Sequence, residues 1–299
     1  MRGAMTSKIA VFGATGKIGS TAAADLRRRG LDVRAVVRNA TKEAALSLPA
    51  NTGCELFVAD LLDRDATARA LESVDGALFI CPPGATSDDV LGHAQRIIDA
   101  TAEAIDAARP AQVVVISDYG AHVPSGTGVT LLFRALEERY RALSVPITFL
   151  RSAEHMQNWS RQARIARARG VLPSLHHPVT KTFPTVSAFD VGSVAAELLA
   201  REPAHRGVRV VHVEGPRRYC AVDVAQTFEH LLGRSVVAQA LPRAEWASVL
   251  TGAGLSADYA RLVTELQDTH NAGGIDVEPD GEVLRGPTEL SDALTAYRF

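Results

Sequence analysis

Three glycines near the start of the chain have the spacing that binds phosphate. Lys8-Ile-Ala-Val-Phe-Gly13-Ala-Thr-Gly16-Lys-Ile-Gly19 reads as a short apolar strand running into a glycine turn, and Ser20–Arg29 reads as the helix that follows. Gly13 suits a tight turn, Gly16 has no side chain to obstruct a phosphate, and Gly19 lets helix and strand pack closely. Main-chain N–H groups and a helix N-terminus then face a pyrophosphate, which points to a bound dinucleotide. The second strand, Leu31–Arg38, ends where NAD-binding folds place an acid for the ribose 2′-hydroxyl. Here that end carries Arg38-Asn39, with Lys42 one helical turn later. A guanidinium there pairs with a 2′-phosphate, so NADP(H) is expected in preference to NAD(H).

Proton-transfer residues are sought just past the other strand ends, where ligands bind in sheets of this kind. Tyr119 and His122 follow the fifth strand and His155 follows the sixth, and each is a candidate proton donor. A tyrosine with a lysine four residues later, the usual acid pair of dinucleotide-dependent alcohol chemistry, is absent: Tyr119 is followed by Val123 and Tyr140 by Ser144. No metal site is expected. His176-His177 are adjacent in a loop and show no third ligand, and Cys54, Cys81 and Cys220 are too few and too widely spaced for zinc or a disulfide framework. That cysteine usage is expected of a reducing cytoplasm. Arg161, Arg164, Arg167 and Arg169 read as a solvated basic face, Lys181 as a surface lysine, and Trp159 and Trp246 as packing residues.

Strand and helix signals alternate through the first half, which predicts parallel strands joined by helical crossovers. The strands are Lys8–Phe12, Val33–Val37, Glu55–Ala59, Gly76–Ile80, Gln112–Ile116 and Pro146–Leu150. Ser87 is expected to cap one helix, and Thr130–Leu143 and Glu154–Arg169 to form others. Asp190 is expected to cap an alanine-rich helix through Arg201. Val208–Val213 reads as a further strand; Val222–Leu232, Ala244–Leu250, Asp258–Gln267 and Glu289–Tyr297 read as helices. The predicted fold is α/β, a Rossmann-type doubly wound parallel sheet with a smaller, mainly helical C-terminal lobe closing a substrate cleft. Residues 1–7 are expected to be a leader, 8–152 the dinucleotide domain and 153–299 the lobe, with segments near 183–213 returning to the sheet.

The chain has 299 residues, 46% hydrophobic and 22% charged, with a formal net charge of −2. These values are ordinary for a soluble protein with a full core. They give no pull toward nucleic acid, and no apolar run is long enough to span a bilayer.

The glycine turn, Val37-Arg38-Asn39, Asp60-Leu61, Val115-Ile-Ser117, Ile147–Arg151 with Met156-Gln-Asn158, and Pro184-Thr185-Val186 with Asp190-Val-Gly192 together resemble the NmrA-like branch of the atypical short-chain dehydrogenases. The resemblance covers roughly residues 8–235. It implies that Thr15, Lys17 and Ile18 lie beside the pyrophosphate and that Arg38 and Lys42 hold the 2′-phosphate. It places Asp60 and Leu61 at the adenine, Cys81, Pro82 and Pro83 at the nicotinamide ribose, Ser117 by the nicotinamide, and Asn158 in the segment entering the lobe. Glu137 matches a family glutamate, but Phe133 and Arg134 stand where many members keep a lysine or histidine. The family includes reductases of quinones, dyes and plant phenylpropanoids, and redox-sensing regulators without turnover. Two functions are therefore expected: hydride transfer from NADPH to a small conjugated or aromatic acceptor that needs little acid help, or a non-catalytic reading of the NADP(H) redox state. The partners expected are a small-molecule substrate and a homodimer mate or regulatory protein.

Overall fold

The structure is a computed structural model that describes residues 7–39, 54–203 and 206–297. The apolar runs of the first half become strands β1 (Lys8–Phe12), β2 (Asp32–Val37), β3 (Glu55–Val58), β4 (Gly76–Ile80), β5 (Gln112–Asp118) and β6 (Ile147–Ser152). Three short strands follow, β7 (Glu154–His155), β8 (Val171–Ser174) and β9 (Thr185–Val186). Then come β10 (Val208–Glu214), β11 (Val237–Ala240) and β12 (Glu282–Arg285). The main sheet is all parallel, in the order β3-β2-β1-β4-β5-β6-β10-β12. Strand order reverses between β1 and β4, and that reversal opens a crevice at the carboxyl ends.

Both faces of the sheet are covered, which is why its central strands read as unbroken apolar runs rather than as alternating ones. On one face, helices Lys17–Arg28 and Ala188–Leu199 pack Ala22, Leu26, Val191, Ala195 and Leu199 against Ile9, Val11, Val33 and Leu78. On the other, helices Arg64–Leu71, Val90–Ala108 and Leu131–Tyr140 pack Leu71, Ile97, Ile98, Ile105 and Leu136 against Phe12, Phe79, Val115 and Phe149. Each such large side chain contributes about 1.5–3 kcal/mol on burial. A separate core of Met156, Trp159, Leu172, Phe183, Tyr219 and Phe228 holds the lobe, completed by Leu290 and Leu294 of helix Leu290–Thr295.

Several local expectations change. The first helix begins at Lys17, because Gly16 is its N-cap. Asp89, not Ser87, caps helix Val90–Ala108 by accepting from Gly92 N–H at 3.0 Å. Glu154–Arg169 is not one helix but β7, a 3-10 segment Met156–Gln162 and a short helix Ala163–Arg169. Ser187 caps helix Ala188–Leu199; Asp190 sits inside it and accepts from Thr288 N–H and Oγ1–H at 3.0 and 2.6 Å. The leader lies outside the described residues apart from Ser7, and so does Lys42. Strand β12, which the sequence reading did not anticipate, returns the chain to the sheet after residue 281.

One buried charge ties these layers together. Arg151 on β6 is 2% exposed. Its Nε and Nη2 donate to Glu137 Oε1 and Oε2 at 2.8 and 2.7 Å, and its Nη1 donates to Glu278. Ser117 Oγ donates to Glu137 Oε1 at 2.7 Å. Burial works to raise the Glu137 carboxyl, but the Arg151 guanidinium, then Ser117 and Arg141, outweigh it and hold the group below the usual range. A folded pKa below the unfolded value adds stability above the unfolded pKa and loses it as pH falls through the folded one. Glu137→Gln should therefore cost about 3–5 kcal/mol at neutral pH. It should also flatten the loss of stability below about pH 4.5, where an unfolded glutamate protonates. Urea unfolding at several pH values checks both.

Candidate functional site

The glycine turn lies at the crevice. Gly13 has φ +78°, a left-handed conformation that favours glycine, and its carbonyl accepts from Gly16 N–H at 3.0 Å. A Cβ on Gly19 would lie 2.3 Å from that carbonyl, so no larger residue fits. Gly13, Thr15, Gly16 and Lys17 are exposed, while Ile18 and Gly19 are buried under them. Helix Lys17–Arg28 has no side-chain cap and no acid in its first turn. Its first N–H groups and positive dipole end therefore face outward, which fits a diphosphate.

The neighbouring strand ends frame this turn. Ala14 N–H donates to Val36 O at 3.4 Å, which brings the end of β2 alongside. Arg38 there is exposed and makes no ion pair among the described residues. Asp60, also exposed, uses Oδ1 to accept from Leu62 N–H at 2.9 Å, and Leu61 is half-buried beside it. After β4, Pro82 is exposed and Pro83 half-buried. Cys81 turns inward instead: its thiol joins Phe79, Ile98 and Tyr140 around a small interior void, and burial pushes its pKa up to about 12. Ser117 is likewise committed to the interior through Glu137, so its hydroxyl does not face the crevice. Asn158 is exposed on the 3-10 segment. Its neighbour Gln157 is the buried amide there, donating to Ser187 Oγ at 3.0 Å and accepting from Ala188 N–H at 2.9 Å.

Burial shifts the pKa of each of the three candidate proton donors. Tyr119 is 2% exposed and its hydroxyl donates to Glu214, whose second partners are Arg218 and Arg285. Burial, then Glu214, pushes its phenol well above the usual range. His155 Nε2 lies 3.0 Å from Ser152 Oγ, and burial lowers its pKa to about 4, so the ring is neutral at neutral pH. Burial also lowers His122, against the opposing pull of Glu278.

Other titratable groups lie beside them at or past the ends of β5 and β6. Asp118 Oδ1 accepts from Gly120 N–H and Thr130 Oγ1–H at 3.1 and 2.9 Å. Burial raises its carboxyl, with a smaller push from Glu154. Glu154 Oε2 lies 3.0 Å from His176 Nε2, and the His176 ring stacks on Phe183 at 3.7 Å. His270 meets His176 edge-on at 6.2 Å, and burial lowers its pKa to about 4. The sequence reading missed Asp118, Glu154 and His270 because no local pattern marks them.

The remaining residues divide clearly. His176 is buried and His177 exposed, so the adjacent pair does not converge on one point. Lys181 is not a free surface lysine: its Nζ donates to the carbonyls of His270 and Asn271 at 2.9 and 2.7 Å. Trp246 is buried and its Nε1 donates to Leu241 O at 2.9 Å. It lines one side of a cleft of about 470 Å³ with His177, Pro242, Arg243 and Asn271. Arg161, Arg164, Arg167 and Arg169 are exposed. Among the described residues, no helix is long and apolar enough to cross a membrane.

Known proteins resemble this architecture over nearly its whole length. An NAD(P)H azoreductase of Xenophilus azovorans is 25% identical over 295 residues, 96% of this chain and 98% of the relative. The triphenylmethane reductase of Citrobacter sp. superposes with a TM-score of 0.79 at 20% identity, covering 97% of this chain and 98% of the other. An NADPH-dependent quinone oxidoreductase of Escherichia coli, solved with NADPH, gives 0.77 at 22% identity, covering 96% and 99%. The NmrA-like family model matches residues 5–283, and the chain belongs to that family.

Proposed function

We propose that the protein is an NADPH-dependent reductase that delivers hydride to a small conjugated or aromatic acceptor of the quinone, enone or dye class. The observation that carries this reading is the uncapped, acid-free start of helix Lys17–Arg28 behind the glycine turn, with exposed Arg38 at the end of the neighbouring strand. Main-chain amides of residues 13–19 would hold the diphosphate, with Thr15, Lys17 and Ile18 beside it. Arg38, with Lys42, would hold the 2′-phosphate; Asp60 would accept from the adenine amino group, next to Leu61. Main-chain atoms of Cys81, with Pro82 and Pro83, would border the ribose, and Asn158 would close the lobe side.

Bound NADPH supplies the hydride, and the protein's own residues set its direction and surroundings. Burial raises the Tyr119 phenol and lowers the His122 and His155 imidazoles, which disfavours proton transfer by them near neutrality. An acceptor with its own electron sink needs no such transfer. Positioning then supplies most of the rate. The cleft at Trp246 adjoins His176 and His270 through His177 and Asn271, and it suits an aromatic substrate. The named activities of the azoreductase, triphenylmethane and quinone relatives support the reading. A second reading, a redox-state sensor without turnover, draws on the sealed Tyr119 and on a weaker likeness to a negative transcriptional regulator, NmrA, at a TM-score of 0.68.

Stopped-flow oxidation of bound NADPH against quinones, enones, azo dyes and triarylmethane dyes separates the two. Reduction of at least one class is expected; tight NADPH binding with silence across the panel favours the sensor. Arg38→Glu should weaken NADPH by roughly 10–100-fold, the loss of one charged hydrogen-bonding partner, and NADH by less than about threefold. Equal losses would remove the 2′-phosphate assignment. His155→Gln should leave the rate–pH profile unchanged between about pH 6 and 8; a vanished inflection there would restore it as a proton donor.

A further inference from the structure

A second polar constellation lies on the other side of Arg151, and the dinucleotide reading does not use it. His122 comes from the loop after β5, His212 from β10, and Glu278 from the loop before β12. One ligand atom from each falls within 4.8 Å of the others. His212 is fully buried, and among the described residues neither of its ring nitrogens has a hydrogen-bond partner. The His122 Nδ1 is also buried without a partner among them. Buried imidazole nitrogens are normally paired with protein, water or an ion, so this gap calls for an occupant. The surroundings hold the three in place. Arg134 Nη1 donates to His122 O at 3.1 Å, and Gly281 N–H donates to Glu278 O at 2.9 Å. Main-chain groups of Tyr119 and Glu282 lie close to the His122 and His212 rings respectively.

We propose that His122, His212 and Glu278 form a binding site for a divalent transition-metal ion, zinc by its ligand set. Two imidazoles and one carboxylate, with a fourth position open to water, are a borderline-soft donor set suited to zinc. Metal–ligand bonds of about 2.0–2.2 Å put tetrahedral donors roughly 3.3 Å apart, so ligand atoms that lie within 4.8 Å of one another would draw together on binding. Burial lowers the pKa of both rings, against the opposing pull of Glu278. Arg151 Nη1 takes Glu278 Oε2, which leaves Oε1 for the ion, and the Arg151 charge is already met by both Glu137 oxygens. The ion would clamp the β5 loop and the 273–281 segment onto β10.

The full-length protein, stripped with EDTA, is titrated with zinc chloride by calorimetry and with cobalt(II) while the visible spectrum is followed. One ion per chain and the intense d–d bands of four-coordinate cobalt are expected. Affinity should fall on the order of 100-fold in His122→Asn and 10-fold in Glu278→Gln, with circular dichroism unchanged. His212→Asn should abolish binding; if its burial prevents folding, His122→Asn decides the matter. His230→Asn, exposed on helix Ala221–Leu232, should bind as the wild type does. No stoichiometric uptake by the wild type, full affinity in His122→Asn, or a thiolate-to-cobalt charge-transfer band would each overturn the proposal.

Discussion

The burial of one guanidinium organises the carboxyl edge of this sheet. Arg151 must find anionic partners because an uncompensated charge at 2% exposure would not be tolerated. It finds them in Glu137, on the helix after β5, and in Glu278, before β12. A single side chain thus joins β6 both to the helix just before it and to a segment 127 residues later. Ser117 is drawn inward by the same carboxylate, and the chain beyond it turns at Tyr119–His122. His212 stands directly across the ladder from Arg151, so the same strand register sets the second polar cluster.

What was legible in the sequence was what depends on neighbours along the chain. Gly13, Gly16 and Gly19 could be read because turn geometry, phosphate access and close helix packing act within a few residues. The central strands could be read because a parallel sheet buried on both faces demands continuous apolar runs. Strand β12 escaped because Glu282-Val-Leu-Arg285 is short and has exposed charged ends, as an edge strand tends to. The fate of Tyr119 depends on Glu214, ninety-five residues later, and that of His176 on Glu154. Pairings of that kind leave no spacing for a reader to find. The family resemblance carried positions correctly onto the strand ends but could not say which way Cys81 and Ser117 would turn.

The chemistry of the crevice is consistent with what is missing from it. A tyrosine–lysine pair works by lowering a phenol pKa beside a substrate oxygen. Here the corresponding strand end holds a phenol sealed against a carboxylate, which moves its pKa the other way. Histidines nearby are desolvated rather than charged.

The lobe is drawn from two excursions, one leaving β6 and rejoining at β10 after the sheet-covering helix Ala188–Leu199, the other leaving β10 and rejoining at β12. Each departs from one strand and comes back on its immediate neighbour in the ladder. Both loops are consequently anchored at each end to adjacent rungs of a rigid framework, so their roots cannot drift apart even if their tips rearrange. Variation in length or composition between those roots can reshape the cleft at Trp246 while leaving the glycine-turn edge untouched, a modularity that comes from strand adjacency alone.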